Sequence, residues 1–290
     1  MSPASAASAV GPASPAGPAS PVGPASGSER PRRRTAWTVA AVLSALLIVA
    51  PGAWWAWSHH GAPVSGTLSG GSADRAVTAL EIDAGEAAVT VTPRADQRVE
   101  YRAVVRWSLR RPEIEESRLG DTLRLTPRCP GTGGALGAGL GCTVDLAVSV
   151  PAGIPVKVTG TSGKIEISGL GGAVDVATDS GRLRLTALRG PLRAEVASGS
   201  LEATALTSPS ADLRAESGSA VAAFLTPPDR ITARSASGKV AVTVPVATRL
   251  RVDRRAGSGS LEVARGLADP AAPGHLDIAT GSGRATAGFP

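Results

Sequence analysis

The sequence has few aromatic side chains and few cysteines. Phe, Trp and Tyr together make up 3% of the 290 residues, and Cys occurs twice. This scarcity excludes a core built around large rings, so any core must be built from Val, Leu, Ile and Ala. Gly and Pro are abundant instead, at 35 and 23 residues. Such a composition favours short strands joined by turns over long helices.

The larger part of the chain also has little excess of charge of either sign. After residue 57 there are 26 basic and 23 acidic side chains, and their signs alternate along the sequence. A nucleic-acid-binding surface normally requires clustered cations. We therefore expect no nucleic-acid partner.

The N-terminal region lacks charge in two separate segments. The first 28 residues carry no charged side chain and contain repeats of the type GPASPA, so we expect residues 1–34 to form a disordered cytoplasmic tail. Residues 35–57, which follow three arginines, are again uncharged. As a helix they would be about 34 Å long, which is sufficient to span a bilayer.

The flanks of this segment predict its orientation. Arginines lie only on the N-terminal side, which places that end in the cytoplasm, and the tryptophans at 54, 55 and 57 suit the opposite interface. We expect a single-pass protein of the cell membrane, with a linker at 58–74 and an extracellular β-repeat domain at 75–290. A cleaved signal peptide is the alternative.

The two cysteines agree with export. Cys129 and Cys142 flank a Gly-rich stretch, and in an oxidising compartment this pair is most simply a disulfide. Two thiols and three scattered histidines give no recognised ligand spacing, so we expect no metal site and no cofactor.

A short Ser-Gly phrase recurs seven times, as in TDSGRLRL. Successive copies are 18 to 24 residues apart, which indicates stacked supersecondary units. The predicted repeat turns are Ser162 and Gly163, Ser180 and Gly181, Ser198 and Gly199, Ser217 and Gly218, Ser237 and Gly238, Ser258 and Gly259, and Ser282 and Gly283. We expect each Gly to adopt a positive φ at a compact corner.

Apolar residues stand three and five positions after each Ser, and also six and four positions before it. Each unit is therefore predicted as strand, turn, strand, with one apolar face on each strand. Only Arg254 breaks the apolar pattern. The predicted fold is all-β, a parallel β-solenoid-like stack; an antiparallel meander, in which each Ser-Gly pair is a hairpin turn, is the alternative.

The segment VSVPAGIPVKVTGTSGKIEISGLGGAVDVATDSG, residues 148–181, resembles the bacterial family of putative adhesins with β-strand repeats, a domain of unknown function. The resemblance covers about residues 75–288. It implies an all-β, solenoid-like envelope domain, and the order of tail, single span and β body is similar to that of actinobacterial members. Some relatives are associated with envelope stress, and the family has no established catalytic residues.

Motifs for catalysis, phosphate binding and calcium binding are missing. GTSGKI does not match a phosphate-binding loop, no GxSxG occurs, and no turn reads GGxGxD. We therefore expect no catalytic residues and a non-catalytic envelope protein, adhesin-like or related to envelope stress, that binds an unknown protein or cell-wall polymer. The alternative is an extracellular carbohydrate-active β-helix enzyme, and a further possibility is signalling through the tail.

Overall fold

The computed structural model describes residues 37–45, 47, 49–50, 64–72, 76–108, 110–130 and 142–290. The predicted disordered tail, residues 1–34, lies outside the described residues, as does part of the predicted membrane span at 35–57. Within the span, a helix covers residues 37–45, 47, 49 and 50. Among the residues that can be described, no helix is long and apolar enough to cross a membrane.

The remaining described residues are almost entirely β-structure and turns. The strands before the repeats are β1 Val64–Gly71, β2 Ala79–Gly85, β3 Ala88–Arg94, β4 Glu100–Trp107, β5 Glu113–Leu119, β6 Thr122–Arg128 and β7 Thr143–Pro151. The all-β prediction is confirmed. The segment 58–74, predicted as a linker, contains β1, which pairs along its whole length with β4. Its Gly- and Ser-rich sequence, VSGTLSGG, lacks the clear alternation of apolar and polar residues that identifies the other strands.

Each Ser-Gly phrase lies between two strands, and we number the seven pairs as units one to seven. The strands are, in unit one, β8 Val156–Gly160 and β9 Lys164–Ser168; in unit two, β10 Val174–Thr178 and β11 Arg182–Thr186; in unit three, β12 Leu192–Val196 and β13 Ser200–Leu206; in unit four, β14 Ser210–Ala215 and β15 Ser219–Phe224; in unit five, β16 Arg230–Ser235 and β17 Lys239–Thr243; in unit six, β18 Arg251–Ala256 and β19 Ser260–Val263; and in unit seven, β20 His275–Thr280 and β21 Arg284–Gly288.

The two strands of a unit belong to different sheets. The ten-stranded sheet has the order β18-β20-β16-β14-β12-β10-β8-β2-β6-β5, and the eleven-stranded sheet has the order β1-β4-β7-β3-β9-β11-β13-β15-β17-β21-β19. Equivalent strands of adjacent units pair in parallel, for example β10 with β12 and β11 with β13. Hairpin turns would give antiparallel pairs, so the meander alternative does not describe these units. Both sheets are mixed. In the ten-stranded sheet β5 pairs antiparallel with β6, and in the eleven-stranded sheet β4 pairs antiparallel with β7.

The units do not stack in sequence order. Unit seven lies between units five and six: β20 pairs with β16 on one side and β18 on the other, and β21 lies likewise between β17 and β19. Unit six therefore forms the end of the stack. This arrangement explains Arg254, since its position is exposed at the last strand and needs no apolar side chain.

The core lies between the two sheets and is built from the predicted apolar columns. In unit two, Val176, Leu183 and Leu185 are fully buried. The equivalent residues of units one, three, four, five and seven are also buried, whereas Leu261 and Val263 of unit six are only partly covered. The alternation with period two thus buries one face of every internal strand and leaves the other face to solvent.

Candidate functional site

The turn glycines pack tightly against one another from unit to unit. A Cβ placed on Gly199 would lie 1.9 Å from the carbonyl oxygen of Gly181, and one on Gly238 would lie 1.8 Å from that of Gly218. The expectation of a positive φ is wrong, because none of the seven turn glycines is among the described glycines with a positive φ, which are Gly71, Gly85, Gly120, Gly169 and Gly266. Glycine is needed at these turns for the close approach of two backbones and not for an unusual φ.

Backbone hydrogen bonds continue the sheets through the turns. The Ser180 amide donates to the Thr161 carbonyl at 2.7 Å, and the Ser198 amide donates to the Asp179 carbonyl at 2.6 Å. The phrases thus form one column, and those of units one to three line an open groove of about 520 Å³. In the same column, the hydroxyl groups of Ser237 and Ser282 are 3.2 Å apart.

Charged residues of opposite sign alternate across the solvent-facing side of the ten-stranded sheet. In spatial order the central column reads Arg124, Glu81, Lys157, Asp175, Arg193 and Asp212. Glu81 lies 3.1 Å from Arg124 and 3.6 Å from Lys157. We call this column the charge ladder. Exposed pairs of this kind stabilise a fold only weakly, but opposite charges on adjacent strands favour the correct register.

The solvent-facing side of the eleven-stranded sheet has a shorter column of the same type. Arg184 lies 3.2 Å from Glu202 and 3.8 Å from Glu166, as expected if units one to three stack side by side. Lys164 adds a contact of 2.8 Å to Glu166. In units four and five the equivalent positions are Val221 and Ala241, so the alternation of charge ends there.

A groove lined by several arginines lies where the charge ladder ends. Its volume is about 800 Å³, and its charged lining residues are Arg214, Arg234, Arg254, Arg255, Glu195 and Glu216. We call it the arginine groove. Sequence reasoning missed it, although two signals were present: the break in the apolar pattern at Arg254, and the local cluster of cations in RVDRRA.

The arginines of this groove differ in their partners. Arg234 lies 2.7 Å from Asp277, and its pKa is raised mainly by this hydrogen bond. Arg255 contacts the same carboxylate at 3.3 Å, and Arg214 contacts Asp212 at 3.0 Å. Arg254 makes no ion pair within the described part of the chain. The guanidinium groups keep exposed N–H donors suited to phosphate or carboxylate oxygens.

The predicted disulfide is confirmed. Cys129 and Cys142 are joined, with their Cα atoms 6.1 Å apart. A cavity of about 620 Å³ adjoins the bridge and is also lined by Pro127, Asp145 and Ser162. The bridge connects the end of β6 in one sheet to the start of β7 in the other.

The described residues contain no group of three or more His, Cys, Asp or Glu side chains that could hold a metal ion. The phenol of Tyr101 is buried and donates a hydrogen bond to Glu116 of β5. The pKa of Tyr101 is raised above its usual value, mainly by burial and secondarily by this bond and the nearby carboxylate charge. This contact fixes β5 against the neighbouring sheet.

Comparisons with known proteins give only distant similarities. No family model and no curated protein matches the chain. A putative cell adhesion protein from Clostridium sporogenes is 11% identical, with a TM-score of 0.39 over 79% of this chain and 100% of that chain. A putative adhesin from Bacteroides fragilis is 11% identical, with a TM-score of 0.40 over 78% of this chain and 97% of that chain. One from Parabacteroides merdae is 9% identical, with a TM-score of 0.37 over 78% of this chain and 96% of that chain.

These solved structural neighbours are bacterial proteins described as putative adhesins. Identities near one residue in ten and TM-scores below 0.5 assign neither a fold nor a function to this chain. The architecture described above therefore rests on the strand pairing and burial of this molecule.

Proposed function

We propose that this chain is a non-catalytic, membrane-anchored protein of the bacterial cell envelope whose β-repeat domain presents an adhesin-like binding surface. In this proposal the domain is a parallel β-solenoid exposed outside the cell, and residues 35–57 anchor it as a single span with the N-terminus in the cytoplasm. The resemblance of residues 148–181 to the putative-adhesin repeats and the position of the arginines on only the N-terminal side of an uncharged segment support it.

The arginine groove is the observation that carries the proposed binding function. Arg214, Arg234 and Arg255 lie close together on the solvent-facing side of the sheet near its end, and Arg254 lines the same open groove. Arginine binds planar or tetrahedral anions through two parallel hydrogen bonds, and a groove across several strands suits an extended chain of such anions. The proposed ligand class is an anionic cell-wall polymer.

The proposal is tested by co-sedimentation of the full chain with insoluble cell-wall fragments, before and after removal of their anionic polymers. We expect binding to intact fragments and at least a ten-fold loss of affinity in the double variant Arg214→Gln and Arg234→Gln, because two guanidinium groups of the groove are removed and Asp212 then faces the ligand without its arginine partner. Arg184→Gln is the matched control, since it removes an equally paired arginine from the other sheet.

Equal binding by the groove variant and the Arg184→Gln control would contradict the proposal, as would undiminished binding to stripped fragments. Turnover of a wall polysaccharide that is lost on substitution of one carboxylate would instead favour the carbohydrate-active enzyme.

A further inference from the structure

The two end strands of the ten-stranded sheet carry opposite net charge. The strand at one end, β5, has the sequence EIEESRL, with three glutamates and one arginine, a net charge of −2. The strand at the other end, β18, has the sequence RVDRRA, with three arginines and one aspartate, a net charge of +2. Among the described strands, β5 pairs only with β6, and β18 pairs only with β20. Each therefore presents one row of unpaired backbone groups.

We propose that the β18 edge of one copy of this chain binds the β5 edge of the next, so that the domains associate head to tail. A sheet edge binds another strand through backbone hydrogen bonds, and the side chains decide which strand is accepted. Two β18 edges would bring arginines together, and two β5 edges would bring glutamates together. Only the pairing of unlike edges is favoured by charge.

The strand directions permit this pairing. All strands from β18 to β6 run parallel in the ten-stranded sheet, and β5 runs antiparallel to β6. Two copies stacked in the same orientation would therefore form an antiparallel β18-β5 pair that continues the sheet. Solvent-facing residues would remain on the outer side and core-facing residues on the inner side, because the side-chain period is two.

One register of the β18-β5 pair places opposite charges against each other. Placing Glu115 opposite Arg255 on the outer face places Glu116 opposite Arg254 on the inner face. The same register sets Ser117 opposite Asp253, so no like charges meet. Shifting it by two residues in one direction sets Glu115 against Asp253, and shifting it in the other direction sets Arg118 against Arg254. Directly opposed like charges destabilise a sheet, so both shifted registers are disfavoured.

The local backbone agrees with this register. The edge of the strand is already covered at Leu250, whose amide donates to the Leu267 carbonyl at 2.9 Å and whose carbonyl accepts from the Asp269 amide at 2.9 Å. In the proposed register the residue opposite Leu250 is Gly120, which begins the turn after β5. The incoming strand thus ends where the covered part of the edge begins.

The end strands of the eleven-stranded sheet contribute little charge to the selection of a partner edge. Its end strands, β1 and β19, carry a single charged residue, Glu262. The ten-stranded sheet therefore determines the polarity of the assembly. A head-to-tail contact of this kind leaves one edge free at each end, so it builds open chains and not closed dimers.

The proposal is tested by sedimentation velocity of the full chain over a range of concentrations. We expect association that weakens at least ten-fold when the salt concentration rises from about 0.05 M to about 0.5 M. Glu115→Arg or Arg255→Glu alone places like charges opposite each other, and each should weaken association roughly ten-fold. The double variant restores opposite charges and should recover association.

Cross-linking tests the register directly. A mixture of Ser117→Cys and Asp253→Cys chains should form a disulfide-linked heterodimer on mild oxidation, because these positions face each other. A mixture of Ser117→Cys and Val221→Cys chains, with the second cysteine on the other sheet, is the control and should not. A chain that stays monomeric at all concentrations, single reversals that associate like the parent, or equal cross-linking in both mixtures would overturn the proposal.

Glu115 lies at the opposite end of the sheet from the arginine groove. Self-association and polymer binding can therefore fail independently: Glu115→Arg should weaken the first roughly ten-fold and leave the second unchanged.

Discussion

Gly199 lies in the turn of unit three, between the turns of units two and four. Its Cα faces the Gly181 carbonyl, and its own carbonyl lies 2.2 Å from where a Cβ on Gly218 would be. Two neighbours thus fix the space at this position, and neither can move without lengthening a sheet hydrogen bond.

We expect Gly199→Ala to lower the free energy of unfolding by about 2 kcal/mol or more, because the added methyl group forces adjacent units apart. Gly153→Ala is the matched control, since a Cβ at Gly153 would have no atom within 4 Å. It should be neutral or slightly stabilising. Urea unfolding of both variants followed by circular dichroism measures the difference, and equal stabilities would show that the units are not tightly packed at the turns.

Tyr101 makes stability depend on pH in the alkaline range. It is the only tyrosine, so the absorbance of tyrosinate reports its ionisation directly. Its pKa is raised in the folded state by burial and by Glu116, so the protonated form is favoured by folding. The resulting stabilisation is complete below the unfolded pKa of about 10 and is lost as pH rises above that value.

Between the unfolded and folded pKa values of Tyr101, the free energy of unfolding should fall by up to about 1.4 kcal/mol per pH unit. It is measured by urea unfolding at increasing pH, beside the absorbance titration. Tyr101→Phe should remove this slope although it also lowers stability at neutral pH. A tyrosine that ionises at its ordinary pKa in the folded protein would contradict the prediction.

At the scale of the element, the bridge between Cys129 and Cys142 joins β6 to β7 and so links the two sheets near the N-terminal end of the stack. Closing a loop with a sequence separation of 13 should stabilise the fold by about 3 kcal/mol through the entropy of the unfolded chain. We expect the double variant Cys129→Ser and Cys142→Ser to lose about this amount in thermal or urea unfolding.

The single variant Cys129→Ser is informative beside the double variant. It should lose the same stability, and reducing agent should destabilise the parent chain but neither variant. A parent protein whose unfolding is insensitive to reductant would show that the bridge does not constrain the unfolded chain.

The sequence predicted the elements of the repeats much better than it predicted their order. Leu183 and Leu185, with their equivalents two residues apart, were sufficient to identify strands and their buried faces, because a period of two depends only on local geometry. β1 and β5 were not predicted. β1 is rich in Gly and Ser, and β5 has a single apolar side chain facing the core, Ile114, so neither shows alternation over its length.

The order of the units depends on contacts between residues far apart in sequence. The one local signal for it was the longest step between phrases, 24 residues from Ser258 to Ser282, since a chain that passes an edge unit needs a longer connection. The arginine groove was missed for the same reason: Arg214, Arg234 and Arg254 come from three units and line one groove only when those units stack.

At the scale of the whole molecule, units six and seven depend on each other. We expect a chain ending after Asp269 to lose the structure of unit six, because β18 and β19 pair only with β20 and β21 among the described strands. Hydrogen exchange read by mass spectrometry should show fast exchange in β18 and β19 of the shortened chain and slow exchange in the full chain.

Units one to four are the internal control in this experiment, and their exchange should be unchanged. Slow exchange of β18 and β19 in the shortened chain would mean that unit six can occupy the place of unit seven. That outcome would contradict the dependence inferred from the pairing.

The position of unit seven also determines the order in which the units can fold. Units one to five can each add to a surface formed by residues synthesised earlier, so the stack can grow while the chain is still being made or exported. Unit six has no such surface in its native place, because its neighbour is synthesised after it. Its residues must wait unpaired until β20 and β21 arrive, and the last two units then fold in one step.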